Sequence, residues 1–126
     1  EDLRAAGVED ASFDVVIVNS VLNLAWDLEG ALREAARALA PDGFLYHAGV
    51  FADESLPPAA MQAFARAGNV FGAARSQGEF ARIAVDRAGF SSCSFERERP
   101  VEPDGSDAAE ELRGRSFTAA IARARR

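Results

Sequence analysis

The chain has 126 residues, 48% of them hydrophobic and 27% charged, a balance that fits one folded domain, or a large part of one, and excludes a disordered segment. Its net charge is −6 and all 14 basic residues are arginines, so it lacks the dense basic footprint that binding to nucleic-acid backbones needs. One cysteine, Cys93, excludes an internal disulfide, and with no signal peptide or membrane-length apolar run the cytoplasm is the expected compartment.

Residues 1–12 are polar, lack periodicity and read as a loop. Phe13 to Asn19 follows as a strand. Val15-Val16-Ile17-Val18 is β-branched without alternation, the pattern of a parallel strand covered on both faces. Asp14 before it and Asn19-Ser20 after it gather polar groups at the sheet edge, where α/β proteins bind ligands. Asp27 then caps a helix with the apolar stripe Leu28, Ala31, Leu32, Ala35, Ala36 and Leu39 and a Glu29–Arg33 pair on its other side. Pro41-Asp42-Gly43 is expected to stop that helix by turn chemistry. Phe44 to Val50 makes a second strand, so that strand, helix and strand form a parallel crossover unit.

Residues 52–56 are polar loop, and Pro57 or Pro58 opens a helix carrying Met61, Phe64 and Ala65 that ends near Gly68. Residues 69–75 are ambiguous. Ser76 and Glu79 form a capping-box pair ahead of a helix that turns Phe80, Ile83, Ala84 and Ala88 inward and closes at Gly89-Phe90. Ser91 to Arg99 alternates Cys93, Phe95 and Arg97 with serines and glutamates, as an edge strand with one wet face does. After a polar loop over 101–106, Asp107 is expected to cap a brief helix through Leu112, and Ser116 to Arg123 is the last strand, apolar on both faces. The basic end, 122–126, reads as a solvated terminus. As a sheet border, the strand at 13–19 would be a flat apolar edge prone to association, so a neighbouring strand is expected to pair with it, from residues preceding Glu1 or from a second copy.

The run Glu9 to Leu24, followed by Leu32 to Leu45, resembles the fourth strand, following helix and fifth strand of class I S-adenosylmethionine-dependent methyltransferases. Residues 68–74, 80–90 and 116–124 look most like the arsenite methyltransferase branch, so the likeness covers nearly the whole chain. It implies an α/β fold in which residues 1–126 are a single partial domain, the C-terminal half of a Rossmann-like seven-stranded sheet. The strands here would be the fourth to the seventh, with the last antiparallel and inserted beside the fifth. The family's glycine-rich turn and its acidic ribose ligand are not in the sequence, and the resemblance places both before Glu1. It therefore implies S-adenosylmethionine as cofactor of the complete protein, weak or absent cofactor binding by these residues alone, and a small-molecule methyl acceptor.

Carried over residue by residue, Glu1, Asp2 and Leu3 match the segment that lies against the adenine ring, and Asn19, Ser20 and Val21 match the turn bordering the methionine part of the cofactor and the acceptor. Asn23, Trp26 and Asn69 are the acceptor-side candidates. The family holds arsenic with thiolates near Ser20 and near Asn69. Hydroxyl and amide are poor ligands for so soft a centre, so an acceptor other than arsenite is expected. Methyl transfer from a sulfonium asks for alignment, exclusion of water and sometimes a base, and no catalytic residue is assigned.

Plainer roles compete for the same residues. Asn19 and Asn23 either cap their elements or line the site, and Trp26 and Phe51 either cover it or belong to the core. His47, inside a strand, reads as a packed or partly exposed structural histidine, Asp53 and Glu54 as loop solvation, and Cys93 as a small buried hydrophobe. One histidine and one cysteine do not make a metal cluster, and neither a G-x-S-x-G elbow nor a phosphate-binding loop occurs. The rival to an enzyme is a non-catalytic relic of the fold that covers its open edge by self-association as a dimer.

Overall fold

The structure, a computed structural model, describes residues 2–126. Four strands form one sheet in the order β1 (Phe13–Asn19), β2 (Leu39–Ala52), β4 (Phe117–Arg125), β3 (Ser92–Val101). β1 and β2 are parallel, joined by helix α1 (Leu28–Ala38), while β4 runs antiparallel to both of its neighbours. Helix α2 (Pro58–Arg66) and helix α3 (Gln77–Arg82, widened into a π turn over Ile83–Arg87) follow β2. Among the described residues no helix is long and apolar enough to cross a membrane.

Most element boundaries obey local chemistry. Asp27 caps α1 by accepting the Gly30 N–H at 2.9 Å, and Glu29 pairs with Arg33 at 2.6 Å. Gly68 and Gly89 close α2 and α3 in left-handed conformation, with the Phe90 N–H donating to the Ala84 carbonyl at 3.1 Å. Three expectations need correction. Helix α1 ends at Ala38, not at Pro41-Asp42-Gly43. Ala40 precedes proline and avoids the helical region; the chain is already extended one residue earlier, at Leu39, and the triplet becomes a bulge within β2, with Asp42 at φ 66°. Asp107 caps no helix; two 3₁₀ turns, Gly105–Asp107 and Glu110–Leu112, occupy that stretch without side-chain caps. The basic end is not a solvated tail. It is the last part of β4, where Ala122 and Ala124 are buried and Arg123 lies over the Phe44 ring at 4.0 Å.

One face of the sheet carries the main core. Leu45, Phe51 and the alanines of β4 (Ala120, Ala122, Ala124) pack with Leu28, Leu32, Phe80 and Ala84 from α1 and α3. Small residues mid-sheet leave room for an aromatic cluster in which Phe51 meets Phe80 and Phe95 edge-on at 5.5 and 5.0 Å. A second cluster around Phe117, Ala52, Ala74 and Leu112 covers only one end of the opposite face. Elsewhere that face is open: Phe13, Val15 and Ile17 of β1 are exposed, Ile17 by 77%. The strand expected to be covered on both faces is covered by the described residues on one, where Val16 and Val18 pack against the core, and it stands at the sheet border.

Candidate functional site

β1 and β2 end on the same edge of the sheet, and the chain turns sharply there. The Ser20 N–H donates to the Ala48 carbonyl at 2.7 Å, and Ser20 adopts φ 64°, a left-handed conformation that is costly for a residue with a Cβ. The turn feeds a 3₁₀ helix, Val21–Leu24, that buries Leu22 and Asn23 and leaves Val21 exposed. Asn23 clamps this helix to β2: its Nδ2 donates to the Val50 carbonyl at 2.7 Å and its Oδ1 accepts the Val50 N–H at 3.4 Å. A Cβ on Gly49 would lie 2.6 Å from Asn23 Oδ1 and 2.5 Å from His47 Nε2, so the clamp closes only over a glycine.

Beside the clamp lies a pocket of about 260 Å³. Asn23 to Trp26 line it from the turn after β1, Ser55 and Leu56 from the loop after β2, and Met61, Ala65 and Arg66 from α2. Arg75 and Glu79 line it from the start of α3. A parallel bridge between Ala52 and Ser76 places Arg75 at the end of β2, with the Ala52 N–H donating to the Arg75 carbonyl at 2.9 Å. Ser76 caps α3 by accepting the Glu79 N–H at 3.2 Å, which is half of the expected capping box. The other half is replaced: the Ser76 N–H donates to Ser55 Oγ at 3.0 Å, and the Glu79 carboxylate accepts the Ser55 hydroxyl and lies 3.7 Å from Arg75 Nε. Arg75 Nε has no hydrogen-bond partner among the described residues, and burial pushes the guanidinium pKa down while Glu79 opposes the shift. Trp26 is 69% exposed, not core, and the Arg66 guanidinium carbon stands 5.1 Å above its ring.

Of the residues singled out in the sequence, Asn23 and Trp26 meet at this pocket. Asn19 and Ser20 are exposed at the tip of β1, the Ser20 hydroxyl 3.3 Å from Asn19 Oδ1. Asp2 caps a 3₁₀ turn, Leu3–Ala6, where a loop was expected, and the Leu3 N–H donates to Glu34 at 3.0 Å; Glu1 lies outside the described residues. Asn69 is buried away from the pocket lining, its amide spent on the Asp107 carbonyl at 3.1 Å and on the N–H groups of Phe71 and Gly72. His47 is fully packed, stacked on Phe80 at 5.4 Å, and burial pushes its pKa down to about 4 against a small opposing pull from the Val18 backbone. Asp53 and Glu54 sit in an exposed loop beside Arg115, and Cys93 packs against the core with its thiol pushed up to about 11 by burial. No group of three or more His, Cys, Asp or Glu side chains among the described residues is placed to hold a metal. Ser55, Arg66 and Arg75 escaped the sequence reading, and Met61 was placed on its helix but not in the site; the one available signal was the Ser76–Glu79 pair, which fixes the start of α3 beside them.

Residues 1–47 match the family model of a methyltransferase domain. An arsenite methyltransferase of Aquipseudomonas alcaligenes is 36% identical over 123 residues, 98% of this chain and 35% of that protein. The structure superimposes on an arsenic(III) S-adenosylmethionine methyltransferase of Chlamydomonas reinhardtii with a TM-score of 0.82 and 30% identity, covering 96% of this chain and 40% of that one. Over nearly its whole length the chain is similar to class I methyltransferases, near the arsenite methyltransferase branch. It spans about a third of the length of the bacterial arsenite methyltransferase it matches. A Haemonchus contortus N-methyltransferase solved with S-adenosylhomocysteine shares the fold alone, at 14% identity and a TM-score of 0.63. In methyltransferase terms the four strands are the C-terminal half of the Rossmann-like sheet, and β4 is the antiparallel strand inserted between β2 and β3.

Proposed function

We propose that this chain supplies the acceptor-side half of a site that transfers a methyl group from S-adenosylmethionine to a small molecule. The observation that carries the reading is the pocket at the carboxyl ends of β1 and β2, walled by Asn23, Trp26 and α2. In this reading the tip of β1, with Asn19, Ser20 and Val21, borders the cofactor, Asp2 and Leu3 flank its adenine, and Trp26 and Asn23 orient the acceptor. Asn69 shapes the backbone ahead of α3 on the acceptor side. Serine at position 20 favours an acceptor that is not bound through sulfur. The chain's task would be alignment and exclusion of water, with the cofactor supplying the reactive methyl.

The test is transfer of tritiated methyl from S-adenosylmethionine to a panel of small acceptors by the protein that carries this chain. Trp26→Ala is expected to raise the acceptor KM by about tenfold with kcat changed far less, the signature of lost ground-state binding. The 126 residues alone are expected to bind S-adenosylhomocysteine weakly or not at all, and micromolar affinity would overturn the half-site assignment. A second reading, a non-catalytic self-associating protein, is favoured by the apolar border strand β1 with Phe13, Val15 and Ile17 exposed. Label transfer to no acceptor, together with a stable dimer, would select it.

A further inference from the structure

The pocket's charge is out of balance with its shape. Two guanidiniums, Arg66 and Arg75, face a single carboxylate, Glu79, and that carboxylate is already engaged by the Ser55 hydroxyl. Glu79 meets Arg75 only at the loose separation of 3.7 Å, through Nε. Arg75 Nε makes no hydrogen bond among the described residues, and the side chain is only 23% exposed. A guanidinium partly withdrawn from water, with one donor unsatisfied and its nearest carboxylate only loosely placed, gains from an acceptor that enters the pocket. Its planar fork matches a carboxylate in two parallel bonds. Leu56, Met61 and Ala65 join Trp26 as apolar lining, beside the polar Asn23, Ser55 and Gln62. A pocket of about 260 Å³ is at the small end for ligand sites, enough for an acid with one ring.

From this we infer that the pocket receives a small carboxylate carried on a flat apolar body, the carboxylate on Arg75 with Arg66 at the mouth and the body against Trp26 and Met61. The inference rests on the pocket's being the acceptor's seat and narrows the acceptor to an acid of this class. Glu79 and Ser55 act as positioning residues that hold Arg75 to one side, while Arg66, stacked on the exposed Trp26, is free to follow the ligand.

Trp26 is the only tryptophan in the sequence and lines the pocket, so its emission reports occupancy without any methyl donor. With benzoate as probe, a saturable change in emission is expected, and the isosteric neutral benzamide should bind at least about tenfold more weakly, the worth of a charge-assisted pair. Arg75→Gln should weaken benzoate by about tenfold or more and leave benzamide unmoved, with Arg75→Lys in between because it keeps the charge without the fork. Equal affinity for benzoate and benzamide, or an equal loss of both in Arg75→Gln, would overturn the inference, as would displacement of benzoate by an equal concentration of inorganic phosphate. No saturable response below about 10 mM, little more than random encounter, would also overturn it. If benzoate fails while labelled methyl still reaches a neutral acceptor, this inference falls and the proposed activity stands.

Discussion

His47 shows how one buried side chain sets a pH limit on the fold. It lies between the rings of Phe80, stacked at 5.4 Å, and Phe51, edge-on at 5.9 Å, and its Nδ1 has no partner among the described residues. Burial holds its pKa near 4 against an ordinary 6.5, so between these values the unfolded chain takes up a proton that the native chain refuses. Native stability therefore falls as pH drops through that window, by a total of about 3 kcal/mol for a shift of this size. His47→Leu is expected to remove that part of the acid slope, read as urea midpoints at about pH 7 and about pH 4.5; equal losses in variant and parent would refute it. The same residue marks what a sequence tells at this scale. That His47 sits inside a strand and plays a structural part was legible in the sequence, whereas its full burial was not. That Gly49 must lack a Cβ to admit both His47 and Asn23 was not, because the Asn23–Val50 clamp joins residues far apart in the chain.

At the scale of elements, local rules predict best where one short stretch decides the outcome. Asp27 ahead of Leu28 and the apolar stripe behind it define α1 without outside help, and Glu34 and Arg37 then tie the preceding loop to it through Asp10 at 2.6 Å. Asp27→Ala should cost about 1 kcal/mol, the worth of an N-cap, and lower the thermal midpoint by a few degrees. An unchanged midpoint would mean that packing of Leu28 and Leu32, not the cap, fixes the helix start. The rules misplace the other end of α1 because Pro41-Asp42-Gly43 can serve either as a turn or as a bulge. The choice is made by distant partners: Phe13 pairs with Leu39 before the bulge and Val15 with Phe44 after it, while Arg125 reaches Asp42 at 2.7 Å. The capping box failed in its second half for a similar reason, since Ser55, twenty-one residues before Ser76, captured the Ser76 N–H. That substitution turns Glu79 into the pocket, so the site was least legible where tertiary contacts overrode local pairing.

For the molecule as a whole, the two sides of the sheet make different demands. The side under α1 and α3 is closed by leucines, phenylalanines and the alanines of β4. The other side presents Phe13, Val15 and Ile17 at 49%, 47% and 77% exposure on a strand whose outer edge has no pairing partner among the described residues. The opposite border, β3, is protected: Glu96, Arg97, Glu98 and Arg99 are charged, and the register breaks between Glu96 and Arg99, both devices that discourage a further strand. The asymmetry means that association, if the chain is alone, has one direction open to it. Strand addition at β1 supplies backbone partners and covers apolar surface in the same step, whether the strand comes from a preceding segment or from another copy. The 126 residues by themselves are therefore expected to show a mass that rises with concentration in light scattering. Ile17→Lys places a charge on the exposed face of β1 without entering the core and should return the mass to that of a monomer, while Glu96→Lys on β3 should leave it unchanged. A monomeric parent at high concentration, or equal effects of the two substitutions, would show that β1 is not the surface through which this chain meets its neighbour.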